Sequence, residues 1–265
     1  MKKFILSLAV LAMSAYTFAQ QITLEGIYGG KYRENSLYGV NSLNDGENYT
    51  ILTKDGLVKR SYESTLKKGQ SSDVTLVTGQ YQGYEFSTDE RYVLLQTETN
   101  QIYRHSFTAK YEVYDTKTQS KTLVFDGKGI QEPLFSPDAS KVAFAFENNL
   151  YIQDLKTNKV TQVTADGKKN NIINGINDWV YEEEFGFVRN FDWNADGTSL
   201  AFVRFDESKV KEINIPIYYN NLYPQELRYK YPKAGQDNSV VTLHVFDTKA
   251  NSTTKVDLGG VQNYY

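Results

Sequence analysis

The 265-residue chain carries 29 Lys and Arg against 32 Asp and Glu, with two His and no Cys. That balance excludes a phosphate-backbone binder, which needs clustered positive charge. The lack of Cys excludes disulfides, a lipidated cysteine and cysteine-held zinc or iron; no cofactor is expected, and a calcium site would have to be built from carboxylates.

Met1, Lys2 and Lys3 precede an apolar stretch from Phe4 to about Ala15, and the small residue Ala19 follows Thr17 and Phe18. This reads as a secretory signal peptide over residues 1–19, cleaved near Ala19, and predicts export to the periplasm or beyond the cell. The stretch falls short of the roughly 20 apolar residues that cross a bilayer, and no later segment is longer, so no membrane span is expected. Residues 20–38, rich in Gly and Tyr, carry no repeating pattern and read as a separate N-terminal segment.

From residue 39 onward a unit recurs: an apolar or aromatic residue, a polar turn with Asp, then an alternating hydrophobic run. It appears as Leu43-Asn44-Asp45-Gly46 before Tyr49-Thr50-Ile51-Leu52, and as Phe86-Ser87-Thr88-Asp89 before Tyr92-Val93-Leu94-Leu95. It returns as Phe135-Ser136-Pro137-Asp138 before Val142-Ala143-Phe144, and as Trp193-Asn194-Ala195-Asp196-Gly197 before Leu200-Ala201-Phe202-Val203. The Asp residues lie 44, 49 and 58 positions apart, a period of several short strands per unit, which points to propeller blades. A second turn follows later in each unit, as Tyr114-Asp115-Thr116-Lys117-Thr118, Gln153-Asp154-Leu155-Lys156-Thr157 and Phe246-Asp247-Thr248-Lys249, and predicts β-hairpins. An all-β fold follows, with 39–265 as a partial β-propeller. Asp89, Asp138 and Asp196 are expected to be turn formers.

The longest interval holds Asp178-Trp179-Val180-Tyr181-Glu182-Glu183-Glu184. Three adjacent carboxylates repel unless a positive group shares them, and an ammonium offers three charge-assisted donors. Asp178 suits the N-cap of a short helix, giving a short helical acidic insertion in a blade. Residues on a helix are spaced about 100° apart, so at most two of the glutamates converge on one guest, and Glu183 and Glu184 are the chosen pair.

This motif resembles the double-glutamate motif of the dipeptidyl peptidase IV family of serine exopeptidases. Arg104-His105-Ser106-Phe107-Thr108-Ala109 with Tyr111-Glu112-Val113-Tyr114-Asp115 resembles the family's arginine-bearing propeller segment, and Tyr231-Pro232-Lys233-Ala234-Gly235 is similar to a further family stretch. The resemblance runs over most of residues 21–258. It implies an eight-bladed propeller that caps an α/β-hydrolase domain, in which the last two glutamates bind the free amine of the substrate and the arginine touches a substrate carbonyl. Those roles fall on Glu183, Glu184 and Arg104, with a peptide bearing a free N-terminus as partner and N-terminal dipeptides, X-Pro or X-Ala, as products.

The chain ends at Tyr265 without a Gly-x-Ser-x-Gly elbow, so no catalytic residue is expected in it, the α/β-hydrolase domain is expected to be absent, and the chain alone should be inactive. By the resemblance, residues 20–38 would pack on that domain, and a homodimer of the full-length protein is compatible with the family. His105 is expected to hydrogen-bond within its own blade, and neither it nor His244 has the context of a triad base. The reading from another class is a stand-alone propeller whose acidic insertion recruits cationic peptides or calcium.

Overall fold

A computed structural model describes residues 22–33, 39–66 and 73–260. The signal-like segment 1–19 lies outside the described residues. The chain divides between Tyr38 and Gly39 into two compact units. In the first, a single helical turn, α1 (Leu24–Tyr28), is capped by the Thr23 hydroxyl, which accepts from the Gly26 N–H at 3.0 Å.

The second unit is built from successive antiparallel sheets. The first contains β1 (Asn41–Ser42), β2 (Asn48–Thr53), β3 (Gly56–Ser61) and, after a short helix α2 (Tyr62–Leu66), β4 (Val74–Thr78). The second runs β5 (Gly83–Phe86), β6 (Tyr92–Gln101), β7 (Phe107–Asp115), β8 (Lys121–Leu123), and the third β9 (Gln131–Phe135), β10 (Lys141–Phe146), β11 (Asn149–Asp154), β12 (Val160–Gln162). Strand order follows chain order in each.

The predicted repeats correspond to these sheets, and the Asp residues explain why. In the turn before β6 the Ser87 hydroxyl donates to Asp89 Oδ1 at 2.7 Å, and before β10 the Ser136 hydroxyl donates to Asp138 Oδ1 at 2.6 Å. At the later turns Asp115 accepts the Lys117 N–H at 2.8 Å, Asp154 the Thr157 N–H at 2.7 Å and Asp247 the Lys249 N–H at 2.8 Å. A carboxylate that bonds backbone donors two or three residues ahead reverses the chain without help from the rest of the protein.

Alternating side chains of each sheet bury against the next. Leu57 and Val77 of the first meet Val93, Leu95 and Tyr114 of the second. Leu94 and Val113 of the second meet Phe135, Val142 and Phe144 of the third. Ala143, Ala145 and Leu150 of the third meet Phe191, Leu200 and Phe205 of the fourth. Leu57, Leu95, Phe144, Leu150 and Phe205 are fully buried, each adding about 1.5–3 kcal/mol of apolar stabilisation. Four-stranded sheets stacked face to face in chain order are propeller blades.

The fourth blade departs from the pattern. Its innermost strand comes in two pieces, β13 (Ile172–Asn174) and β14 (Phe191–Trp193), both paired with β15 (Ser199–Asp206). A projecting hairpin, β16 (Glu212–Ile217) and β17 (Gln225–Lys230), precedes the outer strands β18 (Val240–Asp247) and β19 (Ser252–Lys255). Residues 175–190 leave the sheet between the two inner pieces and carry the acidic motif. Their base is closed by a bridge between Ile176 and Arg189 and by the Asn177 N–H bonding Val188 O at 3.0 Å. The excursion begins at Gly175, whose φ is +74° and where a Cβ would lie 2.5 Å from Leu150 Cδ2, so glycine alone fits.

Candidate functional site

The acidic motif forms helix α3 (Trp179–Phe185). Asp178 caps it as expected: its side chain accepts the Tyr181 N–H at 3.0 Å and the Ser239 hydroxyl at 2.7 Å. Gly186, with φ 72°, ends it and returns its N–H to Glu182 O. Tyr181 seats the helix on the core, its ring edge-on to Phe205 with centroids 4.9 Å apart.

Helical rotation buries the first glutamate and leaves the next two on the accessible side. Glu182 points inward, 2% exposed, and its Oε1 accepts the His105 N–H at 2.9 Å and the Ser106 N–H at 2.8 Å. Glu183 is half-buried and pairs with the Arg104 guanidinium at 2.7 Å. Glu184 is exposed beside them. Arg104 lies in the loop that joins β6 to β7 in the second blade, with a side chain 71% exposed. The fold thus brings Arg104 to Glu183 across 79 sequence positions, and leaves Glu184 adjacent and open to solvent.

Aromatic rings tie the remaining motif to the same place. Trp179 packs on Tyr231, the first residue of the Tyr-Pro-Lys-Ala-Gly stretch, with centroids 5.1 Å apart, and on Tyr229 at 5.2 Å. Tyr229 in turn meets Tyr103, next to Arg104, at 6.1 Å. Contacts of this kind, about 0.5–1.5 kcal/mol beyond area burial, fix the three segments together.

A cleft of about 540 Å³ borders α3, with Tyr103, Ser106, Trp179, Glu182, Glu207 and Lys230 among its walls. Arg104, Glu183 and Glu184 are not part of that lining. The candidate ammonium-binding side chains on α3 therefore lie outside the walls of the cleft.

Glu207 went unnoticed in the sequence. It is 5% exposed, and burial first, then the neighbouring Asp178 carboxylate, push its pKa up to about 7 against the pull of Lys230. The available signal was slight: an acid just past the alternating run that ends at Phe205 and Asp206. Tyr103 is also pushed up, by burial and then by Glu207 and Glu182.

The two histidines lie apart from this pair. His105 is exposed, and its backbone N–H reaches Glu182 in the fourth blade, because the loop it belongs to leans on α3. His244 sits in β18, stacked on Phe202 and bonded through Nε2 to Thr242 Oγ1 at 2.9 Å, with its pKa lowered by burial and by Arg204 and Lys255. Among the described residues no three His, Asp or Glu side chains are grouped to share a metal ion, so the calcium alternative gains no geometric footing. No described helix is long and apolar enough to cross a membrane.

Residues 87–265 match the family model for the dipeptidyl peptidase IV (DPP IV) N-terminal region. The chain belongs to the dipeptidyl peptidase IV family. The crystal structure of Porphyromonas gingivalis dipeptidyl peptidase 4 superposes with a TM-score of 0.81 and 36% identity, over 92% of this chain and 36% of that one. The protein named "Probable dipeptidyl-aminopeptidase B" from Talaromyces marneffei is 33% identical over 94% of this chain and 31% of its own length. Mouse prolyl endopeptidase FAP is 33% identical over 76% of this chain and 25% of its own. The chain spans between a quarter and about a third of the length of these proteins, and corresponds to the N-terminal region of a dipeptidyl peptidase, in the propeller part of the fold.

Proposed function

We propose that this chain is the amine-anchoring part of an exported serine peptidase that releases N-terminal dipeptides, with Glu183 and Glu184 holding the substrate ammonium and Arg104 orienting the first carbonyl. The observation that carries this reading is the Arg104–Glu183 pair at 2.7 Å with the exposed Glu184 beside it. Two carboxylates and one guanidinium leave a local charge of about minus one, which complements a single ammonium. The attraction at about 4 Å is worth about 1 kcal/mol in open water and about 4 kcal/mol in a partly shielded site, so closure by further protein would strengthen it.

Arg104 spends one arm of its fork on Glu183, and its remaining donors are free to take a carbonyl oxygen in a fixed direction. Holding the amine makes the site a ruler. Two extended residues span about 7 Å, so a nucleophile set that far from Glu183 and Glu184 would cut after the second residue. The nucleophile, the pocket for Pro or Ala as second residue, and the water-excluding walls would come from an α/β-hydrolase domain of the full-length protein.

The test uses the full-length protein. Glu183→Gln and Glu184→Gln should each lower kcat/KM for free-amine dipeptidyl substrates about 10- to 100-fold, the scale of a hydrogen bond to a charged group. Reaction with a small active-site acylating reagent should stay nearly unchanged. Unchanged kcat/KM in both variants would refute the assignment.

A further inference from the structure

Two consecutive glutamates of α3 grip two consecutive parts of one loop in the second blade. Glu183 pairs with the Arg104 side chain, while Glu182 faces the other way and takes the N–H groups of His105 and Ser106 on one oxygen, at 2.9 and 2.8 Å. A carboxylate that is 2% exposed is unfavourable unless its charge is met, and here two aligned backbone dipoles meet it. The donors are the two residues directly after Arg104.

The Arg104 side chain is 71% exposed, so its aim depends on where the backbone under it is held. Inside the loop, the Ile102 N–H bonds Ser106 O at 2.9 Å and Gln101 Nε2 bonds Arg104 O at 3.2 Å. Those bonds close the loop on itself. Attachment to α3 comes from the Glu182 oxygen, from the Arg104–Glu183 pair, and from Tyr103, which packs on Tyr229, itself packed on Trp179.

We propose that Glu182 is a positioning residue of the amine site: it holds the 104–106 backbone against α3, so that Arg104 and Glu183 meet in one register, without itself touching substrate. This inference rests on the amine-anchoring reading above. Reach and acceptor count explain the residue type. Asp is one methylene short of the loop, whereas Gln keeps an accepting oxygen at the same distance and loses only charge.

The experiment is a double-mutant cycle in the full-length protein, read as kcat/KM for a free-amine dipeptidyl substrate. Glu182→Ala should lower it about 10- to 100-fold, the scale of a roughly 1 Å misplacement, and Glu182→Gln should recover most of the loss. In an Arg104→Ala background, Glu182→Ala should cost less than about threefold more, because its effect passes through Arg104. Equal losses in both backgrounds would mark Glu182 as merely structural and overturn the proposal. Should Glu182→Ala not fold, Glu182→Asp carries the same cycle.

Amide hydrogen exchange gives a readout independent of turnover. Either variant should speed exchange at His105 and Ser106 while β10 and β11 keep their protection, and unchanged exchange at those two amides would also overturn it. If Arg104→Ala and Glu183→Gln alone leave kcat/KM intact, the amine-anchoring reading fails and takes this one with it. If they lower it but add independently to Glu182→Ala, only the positioning role fails.

Discussion

Replacing Glu207 by Gln should stabilise the fourth blade, and more so at alkaline pH. The carboxyl is 5% exposed, and its pKa is raised from 4.5 to about 7, first by burial and next by Asp178, with smaller contributions from Asp206 and Glu212 that Lys230 opposes. A folded-state pKa above the unfolded one means the protonated form is the favoured one in the fold. Its stabilising contribution is complete below about pH 4.5 and is lost as pH rises through about 7. A rise of that size corresponds to about 3 kcal/mol at pH 8 and about 1 kcal/mol at pH 5, at about 1.4 kcal/mol per unit. Gln keeps the shape without the charge, and Lys230 keeps its bond to Val210 O at 2.7 Å. Trp179 and Trp193, the two tryptophans of the chain, both belong to the fourth blade, so their fluorescence during urea unfolding reads the right region. The gain of Glu207→Gln should be about 3 kcal/mol at pH 8 and shrink toward pH 5. A variant less stable than the parent at pH 8 would mean that the ionised Glu207 is held favourably by Lys230, and the reasoning would be wrong.

Two further substitutions test how the acidic excursion is built. Asp178→Ala removes the cap of α3 and leaves the buried Ser239 hydroxyl without that acceptor, and should cost about 2–4 kcal/mol in the same unfolding assay; Asp178→Asn should cost much less, and equal costs would refute the capping account. Gly175→Ala places a Cβ 2.5 Å from the fully buried Leu150 at a positive φ and should cost about 2–5 kcal/mol, measured by thermal melting; a neutral result would show that the inner strand can leave the sheet without glycine.

What could be read in the sequence was what is local. The Asp turns act on donors two or three residues ahead, so Asp89, Asp138 and Asp154 announce their hairpins within a single short window. Asp178 as cap follows from local helix chemistry, and helix geometry limits convergence to two of the three glutamates. Which blades meet was not legible. Glu182 finds its partners 76 and 77 residues away, and nothing in a run of three glutamates says which one turns inward. Arg104 and Glu183 were associated through resemblance to a family rather than through any local signal. Glu207 escaped because burial, which raises its pKa, is a property of how Trp179, Lys230 and Asp178 assemble around it.

The most direct measurement compares a free-amine dipeptidyl substrate with its N-acetylated form in the full-length protein, in the parent and in the Glu183→Gln, Glu184→Gln double variant. The account predicts that the parent turns over the free amine and leaves the acetylated peptide essentially uncut, and that the double variant loses most of that discrimination. Equal discrimination in parent and variant would contradict it, since the positive end of the peptide would then be recognised somewhere other than α3.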